Sequence, residues 1–220
     1  MGGARFAIPA EIGHQLKRVL RLRDGDEITL LDGLGGEVQC RLEGGECVVV
    51  ERRRASGEPT HQLAVWQALL RGDHLEPVVR HGTELGIARF GPFVSERCVA
   101  RELPPRKLER LRAVAREAAE QSERGIVPPV DEPITFAEAL NAAAPGSVLL
   151  FERHDGKRLT ELEPPPSVFI GPEGGFSPAE VEAAERAGLA IAGLGPRILR
   201  SETVAVAVAA AILSRTGDFA

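Results

Sequence analysis

The chain has 220 residues, 27 basic side chains against 32 acidic ones, a net charge of −5 at pH 7, and 43% hydrophobic residues. This is an ordinary globular composition, with room for one large domain or two small ones. No apolar run approaches the roughly 18 to 20 residues of a membrane span, and residues 1–5 lack the apolar core of a secretory signal, so a cytoplasmic protein is expected.

Residues 5–50 read as β-rich, with turn signals at Asp24-Gly25-Asp26, Asp32-Gly33 and Gly35-Gly36. Short strands fit at 27–31, 37–42 and 46–51, which suggests a small barrel, with a short helix over 9–19. Residues 52–62 have no apolar periodicity and hold Ser, Gly and Pro, so they read as a linker. The expected domains are therefore 1–58 and 62–220.

After the linker, strands and helices alternate. An apolar strand is expected at 63–70, then a capping box at Asp73 to Glu76 opening a helix that ends near Gly86. A strand follows at 89–94 and a long helix at 105–122. Thr135 to Glu138 is a second capping box. Strands are expected at 148–151 and 168–170. Ser177 to Glu180 is a third box, with Pro178 at the favoured first helical position. A short strand at 190–194 precedes an Ala/Val-rich helix at 202–214. This alternation implies an α/β fold with a mostly parallel sheet covered on both faces.

The charge is unevenly spread. Residues 1–130 carry 20 basic and 19 acidic side chains, and residues 131–220 carry 7 and 13. Of the 27 cations 24 are Arg, the residue that best grips phosphate in two-point contact, although genome composition or heat adaptation also produces such a bias; local phosphate-binding patches fit within a net acidic chain. Cys40, Cys47 and Cys98 form neither a CxxC nor a paired framework, which points to free thiols and no structural zinc. The five His show no metal-ligand spacing, and no GxSxG is present.

Two loops stand out. Residues 170–176, Ile-Gly-Pro-Glu-Gly-Gly-Phe, leave a buried strand and enter a helix, where α/β sheets bind ligands. They lack the Lys-Ser/Thr of a P-loop and the GxGxxG spacing, and Glu173 favours a cation over a phosphate. Residues 194–203, Leu-Gly-Pro-Arg-Ile-Leu-Arg-Ser-Glu-Thr, also join a strand to a helix, which Ser201 could cap. Residues 117–125 end a helix in Glu, Gln, Ser and Arg, and Glu152 closes the strand at 148–151. The last helix is apolar over most of its circumference, which predicts burial in the core or against a second subunit.

With these stretches in view, the chain resembles the 16S ribosomal RNA (uracil-N3) methyltransferases of the RsmE family, in the SPOUT class. The resemblance is carried by residues 14–21, Thr83-Glu84-Leu85-Gly86, Ser95-Glu96-Arg97, Glu-Ala-Ala-Glu-Gln-Ser-Glu-Arg at 117–124, Gly-Pro-Glu-Gly-Gly at 171–175, and residues 194–203. Arg71 and His81 stand where the family usually has Lys, and Val204 where Ala is common. The resemblance implies a PUA-like N-terminal barrel, a C-terminal domain with a deep trefoil knot, a homodimer, and S-adenosylmethionine as methyl donor. The implied cofactor residues are Leu149, Phe151, Glu152, Ile170, Gly171, Pro172, Glu173, Gly174, Gly175, Leu194, Gly195, Ile198, Leu199, Arg200 and Thr203. The RNA surface would combine Arg18, Arg21, Arg23, Arg52, Arg53, Arg54, Arg71, Arg97, Gln121 and Arg124, and the partner would be the 16S RNA of the small ribosomal subunit.

The substrate sets the chemistry. Uracil N3 carries an imide proton and is a poor nucleophile until that proton leaves or the developing anion is stabilised. The candidates are Arg124 or Arg200 for the anion, with Glu202 orienting an Arg or taking the proton. Three other readings stay open: a non-catalytic RNA-binding assembly factor with this fold, a related methyltransferase acting on another nucleotide, and an unrelated nucleotide-binding enzyme.

Overall fold

In the computed structural model the described residues are 4–8, 13, 21–152 and 156–219. Apart from residue 13, the helix expected over 9–19 lies outside them, as do the stretch 14–20 and Arg18. The chain divides into two units: residues 1–58 with 123–126, and residues 59–122 with 127–220.

The first unit is an antiparallel sheet. Its strands β1 (Arg5–Ala7), β2 (Glu27–Leu31), β3 (Gly36–Glu43) and β4 (Glu46–Arg54) lie in the order β1-β4-β3-β2. Alternation buries Cys40, Leu42 and Cys47 on one face, with Phe6, Ile28, Leu30 and Val49 around them. The three Arg at 52–54, expected in the linker, extend β4 instead. Arg52, Arg53 and Arg54 pair in register with Val38, Glu37 and Gly36, and Arg53 donates twice to the buried Glu37 carboxylate, at 2.6 and 2.9 Å. Turn chemistry holds the β2–β3 corner, where one Asp32 oxygen accepts from the Leu34 and Gly36 amides at 2.7 and 2.8 Å.

Residues 123–126, expected in the second domain, pack into the first unit. The Gly35 amide donates to the Gly125 carbonyl at 2.8 Å, and Leu34 bridges Ile126. A Cβ on Gly125 would sit 2.1 Å from the Ala55 methyl, so only glycine fits this approach. Such a long-range pairing leaves no local periodicity to read.

The second unit is a six-stranded, all-parallel sheet. Its strands are β5 (Ala64–Ala68), β6 (Arg89–Val94), β7 (Ile134–Thr135), β8 (Val148–Leu150), β9 (Ser167–Ile170) and β10 (Ala190–Ala192), in the order β10-β8-β9-β5-β6-β7. The helices are α1 (Leu75–Leu85), α2 (Pro105–Gln121), α3 (Phe136–Ala142), α4 (Pro178–Arg186) and α5 (Ser201–Leu213). The core centres on Trp66, Phe93, Phe136, Phe169 and Phe176, whose rings meet at 5.6 to 6.3 Å. Helix α1 packs on α2 and α5. Gly86 ends α1 in the left-handed region, as expected.

Two of the three expected capping boxes form, at Thr135/Glu138 and Ser177/Glu180. The third does not. The Asp73 carboxylate pairs with Lys107 Nζ of α2 at 3.1 Å, and the residue capping α1 is His74, which makes no capping bond. Ser201 does not cap α5 either; Arg200 holds that position, without a side-chain bond.

Candidate active site

The loops leaving β5, β8, β9 and β10 at their carboxyl ends surround a cavity of about 440 Å³. This is the crevice where open α/β sheets take ligands. The two glycine-containing loops are not on adjacent strands: β8 lies between β9 and β10, and its loop supplies the wall joining them.

The β9 loop is held at both ends. Downstream, the Phe176 ring is 1% exposed and lies 6.2 Å from Phe93, nearly parallel to it. Ser177 then accepts from the Glu180 amide at 3.3 Å, and its hydroxyl donates to Glu96 Oε2 at 2.6 Å. Upstream, the Gly171 carbonyl accepts from the Ser201 hydroxyl at 2.5 Å, and Gln67 Nε2 donates to that hydroxyl oxygen at 3.0 Å. Gln67 and Ser201 are both buried. These two bonds fasten the β9 wall to the first turn of α5, so the two walls are set together. Gly175 has φ +67°, and a Cβ there would lie 2.7 Å from Glu152 Oε1. A side chain at 175 would therefore be strained and would press on the β8 wall.

The charges are mixed. Glu173 Oε1 accepts from the Arg71 amide at 3.1 Å, with Arg71 Nε 3.8 Å away. Glu202 Oε1 lies 4.0 Å from Arg200 Nη1 and 3.8 Å from His74 Nδ1. Glu202 is 19% exposed and Arg200 is 84% exposed, so the carboxylate lies inside and the guanidinium faces solvent. Apolar lining comes from Leu150, Phe151, Ile170, Leu194, Ile198 and Leu199.

Of the expected cofactor residues, Phe151, Glu152, Ile170, Gly171, Pro172, Glu173, Gly175, Leu194, Gly195, Ile198, Leu199 and Arg200 line this cavity. Three do not. Leu149 is wholly buried inside β8, and the lining begins one residue later, where the strand ends. Gly174 faces away, its carbonyl accepting from Arg97 Nη1 at 3.2 Å. Thr203 is exposed in the first turn of α5. The lining also includes Arg197 and Ser201 of the loop at 194–203, and His74, Phe176 and Val204, which lie outside the expected set. Arg71, expected on the RNA surface, lines it too.

Among the catalytic candidates, Arg200 and Glu202 meet at the cavity. Arg124 belongs to the first unit, with its side chain 4% exposed and its Nη2 donating to Glu58 Oε2 at 2.8 Å. Glu58 Oε1 also accepts from the Ile126 amide at 2.9 Å, so this carboxylate knits residues 123–126 into the sheet unit. Of the RNA-surface candidates, Arg21, Arg23, Arg52, Arg54, Arg97 and Gln121 are exposed, while Arg53 is tied to Glu37. Farther along, Arg101 donates to the Ser95 carbonyl and Arg112 to the Val130 carbonyl, so these two Arg hold structure.

An RNA methyltransferase PUA domain family matches residues 8–50, and an RNA methyltransferase domain family matches residues 57–213. The ribosomal RNA small subunit methyltransferase E of Bacillus subtilis is 32% identical over 96% of this chain and 90% of its own length. The chain belongs to the ribosomal RNA small subunit methyltransferase E family. Family members from Mycobacterium tuberculosis and Neisseria gonorrhoeae extend the likeness. The first is 30% identical over 96% of this chain and 86% of its own. The second, solved bound to S-adenosylmethionine, superimposes with a TM-score of 0.86 at 32% identity, over 100% of this chain and 95% of that one. A Legionella pneumophila methyltransferase, also solved with S-adenosylmethionine, gives 0.80 at 26% identity, over 98% and 93%. The family's two-part architecture is that of this chain: an N-terminal PUA domain and a C-terminal α/β methyltransferase domain with a parallel sheet.

Proposed function

We propose that this chain transfers a methyl group from S-adenosylmethionine to N3 of a specific uridine in 16S ribosomal RNA, within the small subunit. The observation that carries this reading is the cavity at the carboxyl ends of β8, β9 and β10, in a chain whose relatives bear the name small subunit methyltransferase.

The residues present suit the cofactor. A sulfonium and an amine are both cationic, and Glu152 and Glu173 offer carboxylates on neighbouring walls. Ile170, Leu194, Ile198 and Leu199 offer apolar surface for a nucleoside, and the glycines at 171, 175 and 195 let it approach the backbone closely. When bound, S-adenosylmethionine supplies an electrophilic methyl on sulfur.

This chain's own groups do the rest. Arg200 carries a fixed positive charge at the mouth and can face the oxygens of a uracil that is losing its proton. Glu202, 4.0 Å away, restrains that guanidinium. Arg124 has a structural role in this reading, since its guanidinium is committed to Glu58. The N3 edge pairs in a helix, so the target base must be unpaired or turned out of its stack. Exposed Arg23, Arg52, Arg54 and Arg97 supply phosphate contacts.

The same reading makes the enzyme a cytoplasmic homodimer with a trefoil-knotted catalytic domain. For the dimer, the support is the outer face of α5, where Val206 and Ala207 are half-buried and Ala210 is exposed. For the compartment, the support is that no helix among the described residues is long and apolar enough to cross a membrane. No group of acidic, His and Cys residues among the described residues could hold a metal.

The deciding experiment incubates small subunits from a strain deleted for this gene with the protein and S-adenosylmethionine, then identifies methylated nucleosides by mass spectrometry. The expected product is 3-methyluridine in 16S RNA. A methyl on another nucleoside overturns the specificity, and cofactor binding without transfer makes the chain a non-catalytic factor.

A further inference from the structure

We propose that His74 is the catalytic base that takes the imide proton of the target uracil, and that Glu202 orients its ring and balances its charge. This deepens the uridine-N3 reading above and rests on it.

The cavity holds few groups able to accept a proton. Arg71, Arg197 and Arg200 stay protonated at any working pH. Glu173 is engaged by the Arg71 amide and guanidinium. Carboxylates are weak bases, since they ordinarily titrate near pH 4, whereas an imidazole ordinarily titrates near pH 6.5 and so matches a reaction run near neutrality. His74 is the one imidazole among the lining residues.

Its geometry fits the task. His74 closes the loop from β5 and immediately precedes α1, on the same wall as Arg71. Its Nδ1 is shielded from solvent, has no hydrogen-bond partner, and lies 3.8 Å from Glu202 Oε1. A buried ring nitrogen without a partner calls for a reason, because such atoms are almost always satisfied. The gap is slightly too long for a hydrogen bond, as catalytic pairs often are before substrate arrives. The ring is otherwise open, with 43% of the side chain exposed. With Nδ1–H turned to Glu202, Nε2 is left to accept a proton. This is the arrangement of a base with its orienting carboxylate.

The surrounding charges leave Glu202 as the partner. Asp73, in the same loop, is paired with Lys107 of α2 at 3.1 Å. Glu76, on α1 itself, faces Arg110 of α2 at 3.4 Å. From the β9 loop comes Glu173, already held by Arg71. From α5 comes Glu202, with Arg200 at 4.0 Å on its other side.

The step balances. The N3–H bond breaks and its proton passes to Nε2 of His74. The freed N3 electron pair forms the bond to the methyl carbon. The carbon–sulfur bond breaks, and its pair stays on sulfur as a neutral thioether. The imidazolium, beside Glu202, returns the proton to water when product leaves.

The test uses the full chain, unmethylated small subunits and saturating S-adenosylmethionine in single turnovers across pH, with the nucleoside product identified. The wild-type rate should rise through one imidazole-like step. His74→Gln should lose that step and slow by about 100-fold or more. Glu202→Gln should keep the step but move it to lower pH, because an imidazolium loses its neighbouring anion. Calorimetry should give both variants cofactor affinities within about threefold of wild type. Separately, the His74 ring followed by NMR in the cofactor-free protein should titrate at lower pH in Glu202→Gln. A His74→Gln enzyme that makes 3-methyluridine at the wild-type rate with the wild-type pH profile overturns the base and leaves the uridine-N3 reading standing. A ring titration identical in wild type and Glu202→Gln overturns the pairing. A wild-type enzyme that makes no 3-methyluridine overturns the underlying reading and this inference together.

Discussion

Glu58 and Arg124 lie 2.8 Å apart with 15% and 4% of their side chains exposed. Removing one partner leaves the other charged and largely dry, and this costs more than the pair's net worth. Arg124→Ala should therefore lower unfolding free energy by about 3 kcal/mol in urea titrations, and Arg124→Met with Glu58→Gln should lose less. Sequence singles out Arg124 as a candidate for chemistry, because the Glu-Gln-Ser-x-Arg stretch looks like a helix end full of polar groups, and its partner Glu58 lies 66 residues away. Ser201 was misread in the same way. It looked like a cap for α5, whereas its hydroxyl reaches back to Gly171 and joins two cavity walls. Ser201→Ala frees the Gly171 carbonyl and should weaken S-adenosylmethionine binding about tenfold with little loss of melting temperature, measured by calorimetry and thermal unfolding. Gln67 left a faint signal, a polar residue in an otherwise apolar strand.

Helices whose first turn satisfies its own amides are readable from sequence, and α3 and α4 are such helices. Ser177→Ala should cost about 1 kcal/mol of unfolding free energy through the lost cap of α4, measured by urea titration. Glu138 adds a pH dependence. Its carboxyl is held below the ordinary 4.5 by the Thr135 amide first and the Thr135 hydroxyl second. A carboxyl with a lowered folded-state value stabilises fully above about pH 4.5 and loses that contribution as pH falls through the lower value. Glu138→Gln should therefore lower stability slightly in the neutral region, flatten part of the acid limb of a stability–pH curve, and leave stability nearly unchanged once the carboxyl would be protonated. Where an element depends on a distant partner, local reading fails. Asp73 has the sequence of a cap, but Lys107 takes its carboxylate. Strand β7 is two residues long and carries no period. The Arg run at 52–54 looks too polar for a strand, yet the β3 ladder and buried Glu37 hold it in one.

Across the whole molecule, the acidic excess of residues 131–220 and the Arg-rich, nearly neutral first 130 residues fit a division between a cofactor cavity and RNA contacts. Binding to small subunits should weaken steeply with salt, and Arg52→Ala and Arg54→Ala should each reduce the logarithmic salt slope by about 1 without changing cofactor affinity. The parallel sheet was legible from the alternation of strand and helix, but its order was not, because pairing between strands far apart in sequence leaves no trace in local periodicity. That order also has a temporal side. Strand β5 pairs with β6 soon after it in the chain, but its other neighbour is β9, so Ala64 waits for Ser167. Three of the walls around the cavity belong to residues 150–204, the last third of the chain to leave the ribosome during synthesis. Half-made chains can complete the first sheet and bury β5 against β6, yet they hold no pocket. Translation that stops before α5 thus yields a chain with its first sheet and the arginines of β4 in place and no cavity.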